Sequence, residues 1–106
     1  MTRYTLFKET AEISEKAFKE HDGNIINALF EKDRDSMEAV KSFDTREEAL
    51  AELKKYSCTY YRTKGFANVY FYACEYWYIE EEEYNEDYEE WEPTGNSDFA
   101  EIATEV

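Results

Sequence analysis

The sequence predicts an α+β fold: a single domain over residues 1–106, built on a mainly antiparallel sheet that ends in a long C-terminal acidic hairpin. One or two helices are expected on one face of that sheet. Three observations predict it. Residues 44–56, "DTREEALAELKKY", repeat apolar side chains at helical spacing. From Cys58 onward the period changes to two, through "CTYYRT" and "FANVYFYACEYWYIEEEE". With three Gly and one Pro, the chain has little material for flexible linkers, and its 42% apolar content is ordinary for a folded domain.

Taken in order, "RYTLFKE" (3–9) mixes apolar and charged residues like an edge or hairpin strand. "ISEKAFKEHDG" (13–23) suits a short amphipathic helix with Ile13, Ala17 and His21 at i, i+4 and i+8 and Phe18 beside them, and "DG" ending it. "NIINALFEK" (24–32) fits either a short helix capped by Asn24 or a strand. "DRDS" (33–36) reads as a turn and "MEAVKSF" (37–43) as a strand. In 44–56, Asp44 with Glu47, or Thr45 with Glu48, supplies a capping pattern. Ala49, Leu50, Leu53 and Tyr56 make its apolar stripe, which should lie on the sheet.

Beyond it, a two-residue turn at Lys64–Gly65 is expected to join two strands, which sets Cys58 opposite Phe71 rather than Cys74 and weakens the case for a disulfide. Along the second strand Val69, Phe71, Ala73, Trp77 and Ile79 point one way, as core beneath the 44–56 helix. Tyr70, Tyr72, Cys74, Tyr76 and Tyr78 point the other way. "YNEDY" (84–88) reads as a hairpin turn near Glu86–Asp87, with a short strand returning through Trp91. "PTGNS" (93–97) reads as a loop. "DFAEIATEV" (98–106) closes the chain as a short helix or strand.

Charge excludes more than it assigns. The net charge is −14. Residues 1–64 hold all 12 Lys and Arg with 13 acids, a net of −1, whereas residues 65–106 hold 13 acids and no base. So one-sided a field repels DNA, RNA and anionic membranes and attracts basic protein surfaces. Direct nucleic-acid binding is therefore the first function to set aside. No apolar run resembles a signal segment or a membrane span, so the expected location is the cytoplasm, with Cys58 and Cys74 as reduced thiols.

The densest feature is "YIEEEEYNEDYEEWE" (78–92), with nine acids in fifteen residues. Glu80, Glu81, Glu82 and Glu83 are expected to face Glu89, Glu90 and Glu92 across the hairpin. Like charges so opposed destabilise a sheet by about 0.2–1 kcal/mol per pair. One reading is a solvated tip that keeps an edge from aggregating. The other is a docking surface for a basic partner, formed by Glu80–Glu83, Glu86, Asp87, Glu89 and Glu90 with Tyr84, Tyr88 and Trp91. Aromatics carry interface energy, and a purely solubilising tip has no need of them. The tyrosine face (Tyr70, Tyr72, Tyr76, Tyr78) is a second candidate: either a second core covered by the N-terminal helix or an exposed binding patch.

The remaining chemistry-bearing residues point nowhere specific. His21, the only histidine, sits at a helix end beside Asp22 without a nucleophile or orienting group in pattern. The cysteines lack zinc spacing and read as small buried hydrophobes. Neither "DRDSMEAVKSFD" nor "EEEEYNEDYEE" has the ligand spacing of a calcium loop. No Gly-rich phosphate loop occurs. No catalysis, cofactor or metal is expected.

"FDTREEALAELKKY" followed by "EYWYIEEEEYNEDYEEWE" resembles small acidic proteins of Gram-positive gut bacteria and their phages, over roughly the last two-thirds of the chain. In charge and size the chain is also similar to phage-encoded nucleic-acid mimics, including some anti-CRISPR proteins. That likeness implies an inhibitor whose carboxylates stand where phosphates would, occupying a basic groove of a nucleic-acid-binding protein. The alternative expectation is a small structural or accessory domain, a homodimer through the tyrosine face.

Overall fold

The computed structural model describes residues 1–106, the side chain of Arg34 excepted. The fold is α+β. Six strands, β1 (Thr2–Ser14), β2 (Arg34–Phe43), β3 (Cys58–Lys64), β4 (Tyr70–Asn85), β5 (Glu90–Phe99) and β6 (Ala103–Glu105), form one sheet. Its order is β2-β1-β4-β3-β6, with β5 also on β4. All pairings are antiparallel except that of β3 with β6. Three helices join them: α1 (Glu15–Glu20), α2 (Ile25–Ala28) and α3 (Arg46–Leu53).

The strand β4 organises everything. Its 16 residues span about 53 Å at ~3.3 Å per residue, which accounts for the 49 Å long axis of the molecule. β1 pairs with it from Phe71 to Glu83 along one side. The other side is divided: β3 takes Tyr70–Glu75 and β5 takes Tyr78–Asn85. β1 is thus an interior strand of 13 residues rather than the short edge or hairpin strand expected over 3–9. Its alternating burial on both faces explains the mixed pattern that read as an edge.

Local chemistry sets the helix ends. Ser14 caps α1, its Oγ accepting from the Ala17 N–H at 3.1 Å, so β1 runs directly into the helix. Asp22 and Gly23, both at positive φ, end the turn that follows. Asn24 caps α2, which settles the helix-or-strand ambiguity of 24–32 in favour of helix, continued as a 3₁₀ turn over Leu29–Glu31. Thr45, not Asp44, caps α3 through the Glu48 N–H. The expected turn at 33–36 is instead the start of β2 from Arg34.

The helical cover is split between the two faces of the sheet. α3 lays Ala49 and Leu53 over Leu6 and Ile79, with Trp77, Tyr56 and Tyr4 at the margin. On the opposite face α1 and α2 lay Ala17, Ile25 and Ala28 over Ile13, Tyr72, Cys74, Tyr76 and Tyr78. Burying an Ile or Leu fully contributes about 1.5–3 kcal/mol, and Leu6, Ile13, Ile25 and Ile79 are all essentially inaccessible. Of the side chains expected beneath α3, only Trp77 and Ile79 lie there. Val69 is exposed and precedes the strand, because β4 begins only at Tyr70.

The β3–β4 connection explains that shift. It is a longer loop with a 3₁₀ turn at Phe66–Asn68, not a two-residue turn at Lys64–Gly65. Ala67 and Asn68 both take positive φ there. The pairing moves accordingly, so that Tyr60 faces Cys74 and Thr63 faces Phe71.

Candidate functional site

The acidic hairpin is β4–β5 beyond Ile79. Its turn occupies 86–89, with Asn85 paired to Glu90, Tyr84 to Trp91 and Glu83 to Glu92. The expected ladder of opposed glutamates reduces to one direct pair, Glu83 with Glu92. Glu82 faces Pro93 and Glu80 faces Ser97. The reason is a bulge: residues 93–97 of β5 stand against 80–82 of β4, with Gly95 at φ 95°. What reads as a loop, "PTGNS", is the bulged part of β5. Thr94 Oγ1 and Asn96 Nδ2 donate to Glu81 Oε1 at 2.9 and 3.3 Å, turning one carboxylate into a clasp across the bulge.

Alternation sorts the hairpin into two faces. Glu83, Asn85, Glu90 and Glu92 share one. Asn85 Nδ2 donates to Glu92 Oε1 at 3.2 Å, relieving the single like-charge pair. The other face carries Glu82, Tyr84 and Trp91, and it is not free. Arg3, reaching across from β1, donates from Nε to Glu82 Oε1 at 2.9 Å and lays its guanidinium 4.2 Å from the Trp91 ring centroid. Thr5 Oγ1 donates to the same Glu82 oxygen. Glu82 is buried, and Tyr84 and Trp91 are half-buried with ring centroids 5.3 Å apart. Glu80 is also partly withdrawn; burial, and then the Glu82 charge, push its carboxyl above the ordinary value.

The candidate residues therefore divide. Glu80, Glu81, Glu82, Tyr84 and Trp91 build the root of the hairpin. Glu83, Glu86, Asp87, Tyr88, Glu89 and Glu90 are exposed around the tip, Tyr88 at 73%. Among the described residues no ion pair reaches those five acids. Exposed Glu92 extends the acidic face through its pairing with Glu83.

The tyrosine face is a core. Tyr72, Tyr76 and Tyr78 are 8%, 4% and 6% exposed. Phe18 stacks on Tyr72 at 3.9 Å and Phe7 on Tyr78 at 5.4 Å. Only Tyr70 reaches solvent, with the Arg62 guanidinium 3.7 Å from its ring. Three of the four tyrosines are thus buried, Tyr72 beneath Phe18 of α1 and Tyr78 between Phe7 and Phe99.

Beneath that cover lies a group with no local sequence signal. Glu9 is 4% exposed. Lys32, just past the 3₁₀ turn, places Nζ 2.6 Å from Glu9 Oε1, 3.2 Å from Asp35 and 3.1 Å from the Tyr76 hydroxyl. Burial alone would lower the Lys32 pKa, but its bonds to Glu9, Tyr76 and Asp35 outweigh that and raise it. Burial also raises the hydroxyls of Tyr76 and Tyr78. His21 bonds Glu31 at the surface, tying the end of α1 to the 3₁₀ turn. Among the described residues no cluster of three or more His, Cys, Asp or Glu is placed to hold a metal ion. Likewise, no helix is long and apolar enough to cross a membrane. Comparison with protein-family models, with curated proteins and with solved structures finds no match to this chain.

Proposed function

We propose that this protein is a non-catalytic, cytoplasmic binding protein that presents the tip of its β4–β5 hairpin to a basic protein surface and competes there with nucleic acid. One observation carries the reading. Five acids, Glu83, Glu86, Asp87, Glu89 and Glu90, stand exposed within one hairpin end, and among the described residues no lysine or arginine pairs with them, whereas Glu9, Glu15, Glu52, Glu75 and Asp98 are each held by one. Carboxylates held apart on a stiff two-stranded arm pair with Arg and Lys that otherwise grip phosphates. The exposed Tyr88 adds a desolvated contact. A phage-derived inhibitor, as the sequence resemblance implies, is the form of this reading we favour.

The test is capture from a lysate of the encoding organism by the tagged wild type and by a variant carrying Glu86→Lys, Asp87→Lys, Glu89→Lys and Glu90→Lys. Proteins held only by the wild type, and displaced both by salt and by duplex DNA, are the expected result. Identical capture by both baits, or capture indifferent to DNA, would leave the tip as a solubilising edge.

A further inference from the structure

We propose that Cys58 and Cys74 are an oxidisable dithiol that closes to an intramolecular disulfide, tying β3 to the central strand β4. The register sets the geometry. Tyr60 lies opposite Cys74, so Cys58, two residues earlier on β3, is the diagonal neighbour on the same face. Diagonal neighbours ordinarily stand farther apart than opposed ones, but strand twist brings one diagonal closer, and here the two sulfurs are 3.3 Å apart. Both cysteines are free thiols, 0% and 5% exposed, within the core under α1 and α2. The contact favours proton loss at one of them: the Cys74 thiol beside it holds Cys58 below its ordinary value. Cys74, the less completely buried of the two, is the one a small oxidant meets first.

The oxidant class is a hydroperoxide, hydrogen peroxide being the simplest. One sulfur, as thiolate, attacks a peroxide oxygen and breaks the O–O bond, becoming a sulfenic acid while the other oxygen leaves as water. The second thiol then attacks that sulfur, forming the S–S bond and expelling its hydroxyl as a second water. Two electrons leave the two sulfurs and reduce one peroxide. A thiol reductant reverses the step by exchange.

The experiment treats the dilute native protein with hydrogen peroxide, denatures it in N-ethylmaleimide and records the intact mass. The expected product has lost its two thiol hydrogens, takes up no maleimide, runs as a monomer without reductant, and regains both alkylation sites after dithiothreitol. In Cys58→Ala and Cys74→Ala the remaining thiol forms no intramolecular product. The wild-type mass decides the matter even if either variant folds poorly. Two maleimides on the treated protein, added oxygen on single cysteines, or disulfides only between chains would overturn the proposal.

Discussion

The body of the molecule and its acidic arm contain the same kind of charge and treat it in opposite ways. In the body a cation accompanies the carboxylates that matter: Glu9 and Asp35 share Lys32, Glu15 holds Lys19 and Arg62, Glu75 holds Lys8 and Glu52 holds Lys55. Among the described residues the arm has one such arrangement, Arg3 on Glu82, and it lies at the root. Beyond it the acids are solvated. A buried charge without a partner costs several kcal/mol, and a solvated one costs little. Unpaired acidity is sustained where the chain meets solvent, and at the hairpin tip five such acids are gathered within residues 83–90, where a partner can reach them together.

The comparison breaks most sharply at Lys32. Replacing it in Lys32→Met leaves Glu9 buried without its cation and should cost about 3–5 kcal/mol in urea unfolding; adding Glu9→Gln should return much of that. An unchanged midpoint would mean that the body's pairs matter no more than the arm's charges. Next in size is Arg3→Ala, which strips Glu82 of its cation and Trp91 of its stacked guanidinium. A loss of about 2 kcal/mol is expected, with faster amide exchange confined to residues 82–93. Equal acceleration under α1 would show that root and body are one cooperative unit.

A smaller effect sharpens the picture at the tip. Glu89 sits at φ 53°, a conformation that costs a non-glycine residue about 1 kcal/mol or more. Glu89→Gly should therefore stabilise the hairpin by up to about 1 kcal/mol, read as a higher thermal midpoint. No gain would mean that the Glu89 side chain contributes something the strain conceals.

The smallest effect is a difference of sign with pH. Glu80 has a raised folded pKa, first from burial and then from Glu82. The folded state therefore binds its proton more readily than the unfolded one, and the arm gains stability as pH falls through that folded value. Glu15 is lowered by Arg62 and then Lys19, and Glu52 by Lys55. Their contributions are present above the unfolded carboxylate value of about 4.3 and are lost as pH falls through their lower folded values. Carboxyl titration by NMR should place Glu80 above that reference and Glu15 and Glu52 below it. A common midpoint for all three would remove the distinction between arm and body.

Much of this was legible in the chain. The α3 helix announces itself through its cap and its stripe, because both are local. The hairpin and its turn follow from period-two alternation and from Asn85–Glu90 flanking polar residues. The alternation also separates Tyr72, Tyr76 and Tyr78 from Trp77 and Ile79. It does not say which set is covered, since cover comes from helices that are distant in sequence. The β3–β4 register was lost by a few residues because Ala67 and Asn68 adopt positive φ without being glycine. With it went the meeting of Cys58 and Cys74.

The α+β class, the concentration of negative charge after residue 64 and the acidic hairpin are all written in the order of the amino acids. These depend on local propensity, on period and on a sum of charges, none of which needs a neighbour. Which acids gain a cation depends on contacts between distant strands. Arg3 is 79 positions from Glu82 and Lys32 is 23 from Glu9, and no local pattern encodes such a pairing. Strand order and register bring those partners within hydrogen-bond reach, and they leave the acids of the hairpin tip exposed.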